Sequence, residues 1–186
     1  PLFVSDVVEK HPICEEFISG SKELGISVQE DYNSGKQEGI FYYQRTIKNG
    51  MRYSAYDAFL KTALKRKNVK IKKNTLVLKI IFNDKKDDGL VYEKNNKIFE
   101  IFANKEIILC AGAIGSPHLL QVSGIGDGEY LKSIGIDPLY EIKNVGEGLQ
   151  DHYAVRVANK INLPISLNEK ARGYKLFLEI MKWFFL

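Results

Sequence analysis

Residues 111–126, Ala-Gly-Ala-Ile-Gly-Ser-Pro-His-Leu-Leu-Gln-Val-Ser-Gly-Ile-Gly, carry the pattern richest in chemistry. They follow an apolar run, Ile107-Ile108-Leu109-Cys110, which reads as a buried strand. Small residues at Ala111, Gly112 and Ala113 let a backbone approach a ligand closely. Ser116 suits an N-cap and Pro117 the first helical position, so the spacing predicts a short helix that Ser123-Gly124 stops in under two turns. A helix N-terminus beside a glycine turn offers unbonded N–H groups and a positive dipole end. Either a phosphate or the electron-rich edge of a ring could sit there. The same pattern also describes an ordinary strand-to-helix connection.

Other groups are less specific. His11, His118 and His152 are far apart and have no metal-ligand spacing. Cys14 and Cys110 form no disulfide framework, and Cys110 is expected as a buried thiol within its apolar run. No metal site is expected. Lys65-Arg66-Lys67 fits a helix C-terminus better than a phosphate site. Phe41-Tyr42-Tyr43 reads as core packing rather than a substrate wall. Asp151-His152 reads, on the residues alone, as a turn aspartate capping a helix with a neighbouring surface histidine.

The chain has 186 residues, 45% hydrophobic and 27% charged, a globular composition. Its 27 basic and 23 acidic residues leave a net charge of +4, too small an excess to argue for nucleic acid. No basic stripe with interleaved aromatics is present, so no nucleic-acid partner is expected. No signal peptide is visible and no initiating Met is present, and because the chain ends inside an apolar helical pattern it is expected to be a piece of a longer protein, so the absence carries little weight.

The elements that would position these residues follow from pattern. Residues 5–25 read as helix broken in two by Pro12, with Gly20 and Gly25 as punctuation. Asp31–Gly35 is a turn-rich loop. Phe41–Tyr43 with Thr46-Ile47 suggests a strand ending at the Asn49-Gly50 turn. Ser54 to Leu64 reads as a helix capped by Ser54. Val69 and Ile71 alternate with lysines as on a half-exposed strand. Residues 75–82 are strongly β. Asp84–Gly89 is a charged turn, and Lys94–Lys97 the tip of a hairpin flanked by residues 90–92 and 98–102. Asp127 caps a short helix closed by Gly135, Ile136–Ile142 is extended, and Asn144–His152 is a second small-residue loop. From Ala171 the chain is helical, with Lys175, Glu179 and Lys182 on one face. That segment is too short to span a bilayer and is expected to be a core helix whose partner lies beyond this piece.

Four of these stretches together resemble the glucose–methanol–choline (GMC) oxidoreductases, flavin enzymes that oxidise alcohols and sugars. The central stretch is similar to that family's second signature through Gly112, Ala113, Ser116, Pro117, Leu119-Leu120 and Ser123-Gly124-Ile125-Gly126. Asn49-Gly50 with Arg52, Ser54 and Ala58-Phe59-Leu60 resembles its Gly-x-Arg-x-Ser…Ala-Phe-Leu segment. Asn144–His152 resembles its Val-Gly-x-Asn-Leu-Gln-Asp-His loop, and Asp31-Tyr32-Asn33 its Asp-Tyr-Asn-Gly. Order and spacing agree over roughly residues 1–155. The insect glucose dehydrogenase-like branch is the nearest in kind.

The resemblance implies a mixed α/β fold: the central part of an FAD/NAD(P)-binding, Rossmann-like flavoprotein fold with the start of the substrate domain, both incomplete. Residues 1–155 would belong to the FAD-binding domain, with substrate-side elements interleaved around 1–48, and residues 156–186 would begin the C-terminal substrate domain. It implies FAD as cofactor. Val77 would present backbone to the adenine, Ala111, Gly112 and Ser116 would pack along the flavin, and Asp151 and His152 would stand near the flavin ring or ribityl chain. An alcohol or sugar would be the substrate, with a quinone, a dye or oxygen as electron acceptor. The compartment is left open, a secreted one being compatible with the resemblance.

Two features depart from the family. Gly148 stands where it has Asn, and Asn144 where it has Pro or Gly. Moreover, no Gly-x-Gly-x-x-Gly occurs in the chain, and none of the three histidines matches the family's catalytic histidine. The family carries the first before this piece and the second after it, so the piece alone is expected neither to hold FAD tightly nor to turn over. A flavin-containing lyase and a truncated, non-catalytic copy are the competing readings.

Overall fold

The computed structural model describes residues 1–83 and 86–185, the backbone alone at 86 and 87, and divides into two compact units, Pro1–Thr75 and Leu76–Leu186.

In the first unit, helix α1 (Pro12–Glu23) begins at Pro12 instead of being broken by it. Proline suits a first helical position and disfavours helix in the residue before it. His11 is accordingly the N-cap, its Nδ1 accepting the Ile13 N–H at 3.3 Å, and the expected helical segment before it is absent. Ser5 pairs instead as an isolated antiparallel bridge with Arg45. Gly25, at φ +80, ends the helix in the left-handed conformation, and the Ile26 N–H donates to the Ser21 carbonyl at 3.0 Å. The Asp31 loop is an Asx turn, the Asn33 N–H donating to Oδ1 of Asp31.

Phe41–Tyr43 is irregular, not strand. Its rings close a surface cluster in which Tyr32 stacks on Phe41 at 4.7 Å and Tyr43 meets both edge-on. The predicted core placement holds only in part, since Phe41 is half-buried but Tyr43 is 70% exposed. The Asn49-Gly50 turn does close a hairpin, β1 (Ile47–Lys48) against β2 (Met51–Arg52), with both turn residues at positive φ. Beyond it a π-helical turn, Tyr56–Leu60, runs into α2 (Lys61–Ala63). Ser54 and Asp57 bond reciprocally at its start. Val69 and Ile71 are not in a strand: the chain is irregular from 64 to 75, and no neighbouring strand is present among the described residues to pair with it.

The second unit is built on a three-stranded antiparallel meander: β3 (Leu76–Asn83), β4 (Lys86–Lys94) and β5 (Lys97–Phe102). The Asn95-Asn96 turn, at φ 53 and 58, gives the two-residue hairpin that matches strand twist. The expected charged turn at 84–89 is shorter. Residues 86–89 extend β4, and Asp84-Lys85 lie outside the described residues. Ile80 and Tyr92 are buried, whereas every residue of β5 is exposed, Ile98, Phe99, Ile101 and Phe102 included.

Helix α3 (Gly112–Val122) packs on β3. Parallel strands β6 (Ile125–Gly126) and β7 (Tyr140–Glu141) flank helix α4 (Gly128–Ser133). As expected, Asp127 caps α4 through the Tyr130 N–H at 2.9 Å, and Gly135 closes it at φ +79. Ile125 and the fully buried Leu131 form the small core here. The last elements are α5 (Leu167–Lys170) and α6 (Gly173–Phe185), where Lys182 pairs with Glu179 at 2.8 Å. Among the described residues no helix is long and apolar enough to cross a membrane.

Candidate functional site

Residues 107–110 do not form the expected strand. The chain is irregular from 103 to 110, Ile108 is 76% exposed, and the Cys110 thiol is exposed rather than buried. A parallel strand exists only by pairing with neighbours, and the meander's strands pair with one another instead.

The turn after it differs from expectation in an informative way. Gly112, at φ +83, adopts a conformation that side chains resist, and the helix starts there, not at Pro117. It runs 11 residues to Val122, so Ser116 and Pro117 lie inside it. Ser116 still satisfies an amide, but one preceding the helix: its Oγ accepts the Ala111 N–H at 3.0 Å. Pro117, in mid-helix, removes one i→i−4 bond and is tolerated. The first four N–H groups of α3, from Gly112 to Gly115, therefore stand at an exposed end bordered by nothing larger than a methyl group until Ile114. A Cβ built on Gly112 would meet nothing within 4 Å, so the space beside the turn is open.

The opposite end of α3 is where the other segments are tied. Ser123, 0% exposed, accepts the Ile80 N–H at 2.9 Å and donates to the Leu119 carbonyl at 2.6 Å. It thus joins α3 to the free edge of β3, the strand that holds Val77. Val77 is half-buried opposite Tyr92, just before a register shift that leaves Leu78 as an extra residue. Such a bulge increases local twist and re-aims neighbouring groups. Gln121 reaches the other way, its Nε2 donating to the Val145 carbonyl at 3.0 Å. A Cβ on Gly146, at φ +89, would lie 2.5 Å from that amide nitrogen, so a side chain there would push the Gln121 amide off the Val145 carbonyl. Gly124, at φ +91, accepts from the N–H groups of Leu139 and Tyr140.

The structure therefore gathers Ala111, Gly112 and Ser116 in one turn and attaches the strand of Val77 to the same helix. Asp151 and His152 lie beyond the last bond holding their loop, both exposed, with the Asp151 carboxylate accepting the His152 N–H at 2.8 Å. Asp151 caps no helix, since the chain is without one until Leu167. Gly148 has φ +65 with open space around it. Asparagine is among the few side chains that tolerate that region, so the glycine preserves the backbone that an Asn there would adopt.

The sequence patterns assign Gln121 no role, and assign Ser123 a helix stop and a signature position but no partner. The available signal was polarity in an apolar context: both interrupt the Leu119–Ile125 run at one helix end. His118 is exposed, and no cluster of His, Cys, Asp and Glu fit for a metal occurs among the described residues. Displaced titrations occur elsewhere. Burial, then the Glu15 carboxylate at 2.8 Å, pushes the Tyr42 hydroxyl up to about 12, and hydrogen bonds from Ser54 hold Asp57 below the usual carboxylate value.

Comparison with known proteins adds the context this geometry lacks. The sequence model of the GMC oxidoreductases matches residues 1–154. The chain is 38% identical over 185 residues to the oxygen-dependent choline dehydrogenase of Brucella anthropi, covering all of this chain and 34% of that protein. In solved structures it is similar to pyridoxine 4-oxidase from Mesorbium loti, with a TM-score of 0.73 and 32% identity, over 77% of this chain and 28% of the other. It is also similar to an FAD-dependent oxidoreductase from Chaetomium thermophilum, with a TM-score of 0.71 and 29% identity, over 76% and 25%. The chain spans about a third of the length of the curated relatives it matches. The fold is the expected mixed α/β part of an FAD-binding flavoprotein, and the cofactor of that fold is FAD. The chain belongs to the GMC oxidoreductase family.

Proposed function

We propose that this chain supplies one wall of the cofactor site in an FAD-dependent oxidoreductase acting on the CH–OH group of an alcohol. The observation that carries this is the open turn at Ala111–Ser116, seated within a family match that runs through residue 154. When bound, FAD supplies the hydride acceptor for alcohol oxidation.

This chain's residues bind and orient. The α3 amides at Gly112–Gly115 and their positive dipole end favour an electron-rich ring edge. Ala111, Gly112 and Ser116 lie along the flavin, and the β3 backbone at Val77 offers N–H and C=O groups to the adenine. Asp151 and His152 would stand near the flavin ring or ribityl chain. Residues 1–155 belong to the FAD domain in this reading, and residues 156–186 begin the substrate domain. Without a Gly-x-Gly-x-x-Gly or a histidine at the family's catalytic position, the 186 residues alone are expected to hold FAD weakly and not to turn over.

For the substrate, the choline dehydrogenase relatives support a small primary alcohol over the sugar of a glucose dehydrogenase-like enzyme. The test is to purify the full reading frame containing this chain, record its visible spectrum and follow bleaching under anaerobic conditions with choline, simple alcohols and sugars. Flavin absorption bleached by an alcohol is expected. A purified protein without flavin, or a flavin that no alcohol or sugar reduces, would overturn the reading.

A further inference from the structure

We infer that the last turn of α3, through Ser123 and Gln121, is the positioning element of the cofactor wall. This rests on the reading above.

Three segments assigned to the wall are distant in sequence: β3 with Val77, the Ala111–Ser116 turn, and the loop that ends at Asp151-His152. All three are referred to one helix end. The Ser123 hydroxyl sets α3 against β3 by accepting the Ile80 N–H at 2.9 Å, and is itself locked by donating to the Leu119 carbonyl at 2.6 Å. With donor and acceptor both used and the side chain 0% exposed, it has a single orientation. Two residues earlier, the Gln121 amide sets the loop against the same helix through the Val145 carbonyl at 3.0 Å. Gly146 clears the space this amide occupies. Both ends belong to the single 11-residue helix α3, which continues through Pro117, so a displacement at this end is passed on to the open amides at the other. Neither residue needs to touch FAD to decide where the groups that do touch it stand.

The two bonds differ in what their loss would do. Ser123→Ala leaves the Ile80 N–H buried without its acceptor, which moves α3 relative to β3 and displaces the isoalloxazine side from the adenine side. Gln121→Leu keeps the shape and frees only the loop. Its effect falls on the Asp151-His152 part and leaves adenine binding intact.

The test uses the full-length flavoprotein. FAD dissociation is measured by recovery of flavin fluorescence, and the flavin environment by visible circular dichroism and reduction potential. Ser123→Ala is expected to weaken FAD binding about tenfold or more and to alter the visible dichroism. Gln121→Leu is expected to shift the reduction potential and the dichroism with a change in FAD affinity of less than about threefold. Gln121→Lys, which retains a donor, is expected to restore part of the dichroic signal. Ser133→Ala, which removes an exposed hydroxyl bonded to the Tyr130 carbonyl, should change none of these readouts.

Wild-type spectra from Ser123→Ala and Gln121→Leu would overturn the inference while leaving the flavoenzyme reading intact. A wild-type protein that carries no flavin would instead overturn the reading itself. If Ser123→Ala does not fold, Gln121→Leu and Gly146→Ala, both outside the core, decide the matter. An unchanged potential and dichroism in both would refute the inference.

Discussion

Replacing Gly124 by alanine is the most discriminating perturbation of the second unit. Gly124 has φ +91, where a side chain costs about 1–2 kcal/mol. The added Cβ would also lie 2.9 Å from the Asp137 carbonyl oxygen and 3.0 Å from Leu139 Cγ. Those neighbours cannot retreat independently, because Leu139 and Tyr140 both donate to the Gly124 carbonyl at 2.8 and 3.1 Å. Overpacking of this kind adds about 1–3 kcal/mol, so Gly124→Ala should lose about 2–5 kcal/mol in all. Gly135 supplies the internal reference. Its φ is +79, but nothing lies within 4 Å of a Cβ there, so Gly135→Ala should lose only the conformational share, about 1–2 kcal/mol. Urea unfolding of the 186-residue chain and both variants gives the two differences, provided the denaturant slopes agree. Equal losses would refute the claim that the β6–β7 junction is sterically closed around Gly124.

At position 148, asparagine should be accepted with FAD affinity of the full-length protein within about threefold of wild type, whereas alanine should destabilise the loop by about 1 kcal/mol. Fluorescence titration and thermal melts read the two effects. Asp57, held low first by the Ser54 hydroxyl and then by the Ser54 N–H, contributes stability that is present above about pH 4 and lost as pH falls through its lowered folded value. Far-UV dichroism on acid titration should show a loss of helix signal as pH falls below about 4, and Ser54→Ala should remove that acid-side step. Tyr42 behaves oppositely. Its contribution is intact below about pH 10 and lost as pH rises through about 12. Ultraviolet titration should show a late-ionising component from Tyr42, and Glu15→Gln should move its midpoint part of the way down, since burial remains.

What could be read from the residues was mostly local. The turns at Asn49-Gly50 and Asn95-Asn96, the Asp127 cap and the strong β run from Thr75 are specified by residues close together, and each is found. The segments that misled need distant partners. Ile107–Cys110 has the composition of a buried parallel strand, but pairing, not composition, makes such a strand. Val69 and Ile71 alternate correctly and have no strand beside them among the described residues. The start of α3 was misplaced because Ser116-Pro117 is a strong local signal, overridden by the left-handed turn at Gly112. For the candidate site, the residue types that leave a backbone open were legible. The bonds that orient it were not, because Ser123 and Ile80 are 43 positions apart and Gln121 and Val145 are 24.

Among the described residues the meander from Leu76 to Phe102 pairs only with itself, each strand with the next. Contacts so near in sequence close small loops and form quickly, whereas parallel pairing must wait for distant chain. As this polypeptide leaves the ribosome, β3–β5 can assemble before α3 has been synthesised. They then present Ile80 as a waiting donor and β5 as an apolar edge in need of protection. The order of synthesis thus lets the platform form before the helix that packs on it.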